Sequence, residues 1–390
     1  MSNKMAKKIE ILLNLKFKHG RNANMKSMYL FPITLFFLFL SATISAAPSI
    51  TDSTTRINGS HKELTISGAN FGPGPNVILF DTFSGGVAGE VIELDSPEIG
   101  QWSGRGGWEG KATYTKGANG NLGQGVRDFN YSTSSMNRMA QLDKDLEGNQ
   151  TEIYFSYDVF VPTGNFFSGA SKDYVMPTAS SWKFTWLTDN AGVGVDDGYD
   201  MCIPTQVGSG NFTVAGNDGN VSWVSSGNDW AYHKRNRFSY WQKVITGNDG
   251  PFKYFIINEE QGMQKRESLS TRLMYSTNHF NNIRFPGWFG NGDQSNFNAV
   301  YDNIYIAVGA NSQARVELSN SMTYDNSTFL QVFPPSSWSS SKIIVQLYGL
   351  EKPTDTLYIH ITDANGNRSP GVKIGTASEP EDPPAAQVLH

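Results

Sequence analysis

The sequence predicts an all-β protein built of antiparallel strands packed sheet on sheet, and three observations carry that expectation. Residues 152–162 read EIYFSYDVFVP, in which Ile153, Phe155, Tyr157, Val159 and Val161 alternate with Glu152, Tyr154, Ser156, Asp158 and Phe160. A period of two puts alternate side chains on opposite faces of a strand. Past position 50 the apolar residues alternate or come in short blocks between Gly, Asn, Asp and Pro, with no amphipathic run at helical spacing. The 39 Gly and the 13% aromatic content suit short strands joined by turns.

The 152–162 strand needs a second sheet over its apolar face, where each large side chain taken from water contributes about 1.5–3 kcal/mol. Pro162 has no N–H to donate and ends the ladder. Its other face, with Tyr154, Ser156 and Asp158, is what a sheet shows when it lines a groove, so Tyr154 and Asp158 are candidate substrate-binding residues.

With 390 residues, 38% hydrophobic and 17% charged, the chain can bury a large core and divide into more than one domain. Residues 29–40 (YLFPITLFFLFL), with Lys26 before them and small residues through Ala46 and Ala47 after, read as a secretory signal peptide over residues 1–46. Met25 is then the expected start, the upstream piece being an extended leader or an annotation artefact, with an uncleaved anchor as the alternative. Cys202 is the single cysteine, which excludes an internal disulfide and leaves no cysteine after the apolar run to accept a lipid. Residues 1–46 carry seven Lys/Arg and one Asp/Glu, so the net charge of −5 becomes −11 without them. Such an acidic secreted chain is expected to bind neither nucleic acid nor an anionic membrane through its overall field.

Next, Leu64 and Ile66 alternate with Thr65 and Ser67 before Gly68, Asn70, Gly72, Pro73, Gly74 and Pro75 turn the chain. With the Phe71-Gly72 pair this resembles the opening of an IPT/TIG immunoglobulin-like domain. The Trp-Ser strand and the Asp-x-Asn-Gly turn that continue that family stand far downstream, around Trp338 and at Asp363–Gly366. The expectation is one discontinuous immunoglobulin-like domain, residues 48–76 plus 312–375, with residues 77–311 inserted between its halves; two separate small β-units are the alternative.

Strand candidates inside the insert are VILFDTF, ATYTKG, EIYFSYDVFVP, SWKFTWL, FTVAG, FSYWQKVI, FKYFIIN, FNNIRF and AVYDNIYIAV, and their spacing suits an antiparallel jelly-roll β-sandwich. Their order, through Trp182-Lys183, Tyr240-Trp241 and the DNIYIAV strand from Asp302, resembles the concanavalin A-like lectin/glucanase superfamily, especially its polysaccharide-lyase-like members. The tail from 376 to 390 has little to bury and is expected to be disordered.

The resemblance implies a carbohydrate partner. Retaining glucanases of this superfamily use Glu-x-Asp-x-x-Glu on one strand; that pattern is absent, which disfavours a retaining glucanase. Elimination by a lyase instead needs a partner for the uronate carboxylate, a base for the C5 proton and an acid for the leaving oxygen. Candidates are His279, Tyr240, Gln242 and Arg284, with Arg138 and Lys183 for substrate; Tyr240 and Gln242 share one strand face. His233 precedes Lys234, Arg235 and Arg237 and is a base or part of a solvated basic loop; His279 beside Phe280 is a base or a structural histidine.

A binding protein needs less: aromatic rings to stack on pyranoses and Asn, Asp or Arg to bond hydroxyls. Trp288 in its Gly/Asn loop is the substrate-binding candidate of this kind, with Trp102, Trp108, Trp223 and Trp230 also in turn-rich loops. Phe184 and Trp186 share a face with Trp182, as core or platform. Asp196, Asp197 and Asp200 form a turn that a Ca²⁺ ion would accept or that is simply solvated; no cofactor is otherwise required. The expected function is that of a secreted protein acting on an extracellular polysaccharide, as a lyase working by β-elimination or as a non-catalytic lectin-like or adhesion module.

Overall fold

The computed structural model describes residues 46–58, 61–106, 112–116, 124–128, 141–160, 182–188, 201–205, 213–216, 224–225, 234–245, 249–272, 279–285, 299–350 and 352–375. Among them the regular structure is antiparallel strand, with short 3-10 turns at Tyr324–Asn326 and Thr354–Thr356. No helix among these residues is long and apolar enough to cross a membrane.

The larger sandwich has two sheets. One runs Gly262–Arg272, Asp249–Asn258, Arg235–Lys243, Glu152–Phe160, Ala299–Val308, Gln124–Asp128 and Thr113–Lys116, with Asn76–Asp81 also paired to Ala299–Val308. It is called the eight-stranded sheet below. The other, of seven strands, runs Val224–Ser225, Thr213–Gly216, Met201–Thr205, Trp182–Thr188, Phe280–Phe285, Gln141–Gln150 and Gly104–Gly106. Ile153, Phe155, Tyr157 and Val159 of the first sheet meet Leu142, Leu187, Ile283 and Phe285 of the second in one apolar core. Aromatic rings fill it: Phe155 and Tyr157 both stand edge-on to Phe285. Such contacts add to what area burial alone supplies.

A smaller sandwich is built from both ends of the described chain. One of its four-stranded sheets runs Ser49–Asn58, His61–Ala69, Lys342–Gln346 and Pro335–Trp338, the other Leu330–Phe333, Arg315–Ser319, Tyr358–Thr362 and Val372–Lys373. Leu64 pairs with Val345 and Ile66 with Ile343, and all four join Val316, Leu318, Ile359 and Ile361 in a second core. Trp338 closes this core at one end, its Nε1 donating to the carbonyl of Gly72 at 3.0 Å.

The two sandwiches meet on the outer face of the eight-stranded sheet. Tyr154, Trp241, Phe255, Ile257 and Tyr305 from that face pack with Tyr324, Leu330 and Val332 of the smaller sandwich. The half-polar face of the Glu152–Phe160 strand is therefore covered by protein: every residue from Glu152 to Val159 is buried. This corrects the groove expected there. A half-polar strand face suits a wet groove or a polar interface equally well, and here Asp158 makes it an interface. Its carboxylate, 3% exposed, accepts from Arg237 Nη1 at 3.0 Å and Asn303 Nδ2 at 2.8 Å, with Arg235 as a further partner. A buried carboxylate is tolerable only when its charge and lone pairs are met in this way.

Candidate functional site

The opposite face of the larger sandwich carries a different arrangement. In the seven-stranded sheet, Leu142 and Leu146 of Gln141–Gln150, Ile283 and Phe285 of Phe280–Phe285, and Leu187 of Trp182–Thr188 point into the core. Strand alternation then sends Asp143, Asp145, Asn282, Arg284, Trp186 and Thr188 to the outer face. The registers align them as two rungs, Asp143–Arg284–Trp186 and Asp145–Asn282–Thr188.

In the first rung the Arg284 guanidinium lies 6.0 Å from the centre of the Trp186 ring and its Nε 3.0 Å from Asp143 Oδ1. Trp186 is 6% exposed, and its ring backs the arginine. The side chains of Arg284 and Asp143 keep 22% and 18% of their surface. In the second rung Asn282 donates from Nδ2 to Asp145 Oδ1 at 2.9 Å. Among the described residues, Asp143 Oδ1, Arg284 Nε and Asn282 Oδ1 make no hydrogen bond. The first two are close enough to attract but not aligned to bond. An unmet buried polar atom costs about 1–3 kcal/mol, so Asn282 Oδ1 beside the loosely aligned Asp143–Arg284 pair offers an acceptor, an anion and a cation on one sheet face.

Burial pushes the Asp143 carboxyl above the usual carboxylate range; Arg284 opposes this shift and Asp145 adds to it. A carboxyl with a raised pKa beside a guanidinium combines a proton carrier with an anion partner.

Of the residues expected at a site, the structure places Arg284 in the rungs and His279 next to the start of the same strand, half-buried. It does not bring Tyr240 and Gln242 to them. Both are buried, Tyr240 within the core between the two sheets, where its hydroxyl donates to Gln242 Oε1 at 2.8 Å. Burial holds the Tyr240 phenol well above its ordinary range, which removes it as a proton carrier. Tyr154 and Asp158 lie at the sandwich interface described above, 1% and 3% exposed. Trp102 is no ligand platform either: it is buried, and its Nε1 donates to Asp81 Oδ2 at 2.7 Å. The side chains of Lys183, Trp288, Arg138, Asp196, Asp197 and Asp200 lie outside the described residues, as do His233, Trp108, Trp223 and Trp230. Among the described residues no cluster of His, Cys, Asp or Glu is arranged to hold a metal ion.

Asp143, Asp145 and Asn282 are the residues that sequence reasoning passed over. The 141–150 segment QLDKDLEGNQ alternates Leu142, Lys144 and Leu146 against Asp143 and Asp145, a period of two hidden by a lysine on the inner side.

No protein-family model matches the chain, and no curated protein matches it. Solved structures do. An alginate lyase from Aplysia kurodai is 13% identical over 50% of this chain and 87% of its own, with a TM-score of 0.37. The alginate lyase Aly36B is 14% identical over 60% of this chain and 97% of its own, at 0.38. Domain 4 of AbnA, an extracellular arabinanase from Geobacillus stearothermophilus, is 12% identical over 61% of this chain and 94% of its own, at 0.36. Similarity at these scores leaves the chemistry of this chain to be argued from its own residues.

Proposed function

We propose that this is a secreted carbohydrate-active protein that holds an extracellular polysaccharide across the outer face of the seven-stranded sheet. The observation that carries the reading is the pair of rungs, in which the unbonded Asn282 Oδ1 lies one rung from a guanidinium paired with Asp143 and set beside the Trp186 ring. Arginine forks bind paired oxygens, and Asn and Asp bond hydroxyls, which is the donor and acceptor set a sugar chain requires. The test is titration of the mature protein with a panel of neutral and uronate oligosaccharides. At least one should bind, and Arg284→Ala should weaken it about tenfold or more; binding that ignores Arg284→Ala on every member defeats the reading.

A catalytic reading has one observation in its favour, the raised pKa of Asp143 next to Arg284. In it Arg284 neutralises the uronate carboxylate and Asp143 takes the C5 proton; the C4=C5 double bond forms as the C4–O bond breaks, and the proton held on Asp143 passes to the leaving oxygen, giving an unsaturated uronate and a new chain end. Ultraviolet absorbance of a uronate panel incubated with the protein should then rise, and Asp143→Ala should abolish the rise. Binding without any rise leaves a lectin.

A further inference from the structure

Where the smaller sandwich covers the eight-stranded sheet, the two do not close completely: a cleft of about 400 Å³ lies between them. One wall is a row across three strands, Tyr154 opposite Trp241 and Trp241 opposite Lys253. Facing it are Arg315, Tyr324 and Arg368. The Arg315 guanidinium stands 4.5 Å from the centre of the Tyr154 ring, and that of Arg368 3.3 Å from the centre of Tyr324.

Charge is unevenly met here. Lys253, Lys265, Arg315 and Arg368 line the cleft with one carboxylate, Glu267. Behind them Glu317 pairs with Arg315 at 2.9 Å and lies 3.9 Å from Arg368, and Asp325 pairs with Lys265 at 2.5 Å. Among the described residues, four cations against three carboxylates leave a positive surplus, in a chain of net charge −5. Lys253 stands between Trp241 and Glu267 in the strand register, and its ammonium lies 5.6 Å from the centre of the Trp241 ring. The Asp363–Gly366 turn passes close to that ammonium. Asp363 fixes the turn by accepting from the backbone N–H groups of Asn365 and Asn367 at 2.9 and 2.8 Å. It sets Gly366 at φ +81°, where a Cβ would stand 3.2 Å from Lys253 Nζ and 2.5 Å from Gln313 Oε1. Glycine satisfies both the left-handed backbone and the space beside the lysine.

We propose that this cleft is a second saccharide site, for a sugar unit bearing a carboxylate or sulfate, with Lys253 and Arg368 on the anion and the Trp241 ring alongside. The choice of a sugar as the anion's carrier rests on the function proposed above; the site itself is on the other sheet and does not share its residues.

The test is calorimetric titration of the full chain and of Arg284→Ala with three tetrasaccharides of equal length: a uronate, a sulfated and a neutral one. The Arg284→Ala protein should still bind an acidic tetrasaccharide, and adding Lys253→Gln should weaken that binding about tenfold. If the uronate alone or the sulfated sugar alone binds in this manner, the proposal stands and the anion is identified. If Lys253→Gln changes nothing while thermal unfolding shows both variants folded, or if the neutral sugar binds the cleft equally well, the proposal is overturned. If Lys253→Gln abolishes acidic binding and Arg284→Ala has no effect, the cleft stands and the rungs lose their assigned role.

Discussion

The two outer faces of the larger sandwich follow the same strand alternation and end in different states. On the eight-stranded sheet, Asp158 is enclosed by Arg237, Asn303 and Arg235 beneath a second sandwich. On the seven-stranded sheet, Asp143 meets one guanidinium among the described residues and keeps 18% of its surface. An aspartate opposite an arginine is thus structural in one place and available in the other, and what separates them is the number of partners the fold brings to each.

The comparison is tested most severely by Asp158→Ala. It leaves Arg237, 1% exposed, as a buried charge without its main partner, and should cost about 3–5 kcal/mol in denaturant unfolding. A loss below about 1 kcal/mol would show that this face is wetter than described.

The next test concerns Asp81 at the rim of the core, whose pKa burial raises from 3.8 to about 7 against the hydrogen bonds from Trp102 and Phe83. Between those two values the folded protein holds a proton that the unfolded chain has released. Stability should therefore fall as pH rises from about 4 to about 7, by roughly 1.4 kcal/mol per pH unit, and level off above. Asp81→Asn should flatten that slope, as measured by unfolding at several pH values.

On the open face, Arg284→Ala should change stability by less than about 1 kcal/mol, because the side chain is partly exposed and its one ion pair partly solvated. Its effect should instead appear in sugar binding. The smallest effect expected is that of Lys265→Ala, whose pair with Asp325 has both side chains more than half exposed; unfolding should shift by no more than about 0.5 kcal/mol.

Much of the fold was legible from local pattern. The alternation at 152–160 and the apolar blocks at 280–285 and 299–308 are strands where expected, because burying alternate side chains leaves little other choice. The site was less legible. Arg284 was found, but the face of Tyr154 and Asp158 was assigned to a groove, since a strand's own sequence does not say whether its polar face meets water or another sheet. Tyr240 and Gln242 were assigned to the groove on the same ground, and lie in the interior because a phenol and an amide can satisfy each other there. Asp143 was missed because Lys144 interrupts the apolar side of its strand.

The pairing of His61–Ala69 with Lys342–Gln346 also fixes an order of events. Gln346 donates to Glu63 across 283 residues of chain, so the small sandwich cannot form until nearly all the described polypeptide has been made. Contacts this distant in sequence form slowly, since the loop must close before any of them contributes. Until then the His61–Ala69 strand keeps an open edge and Leu64 and Ile66 lack their cover. The late arrival of residues 342–346 then locks the beginning and end of the described structure together.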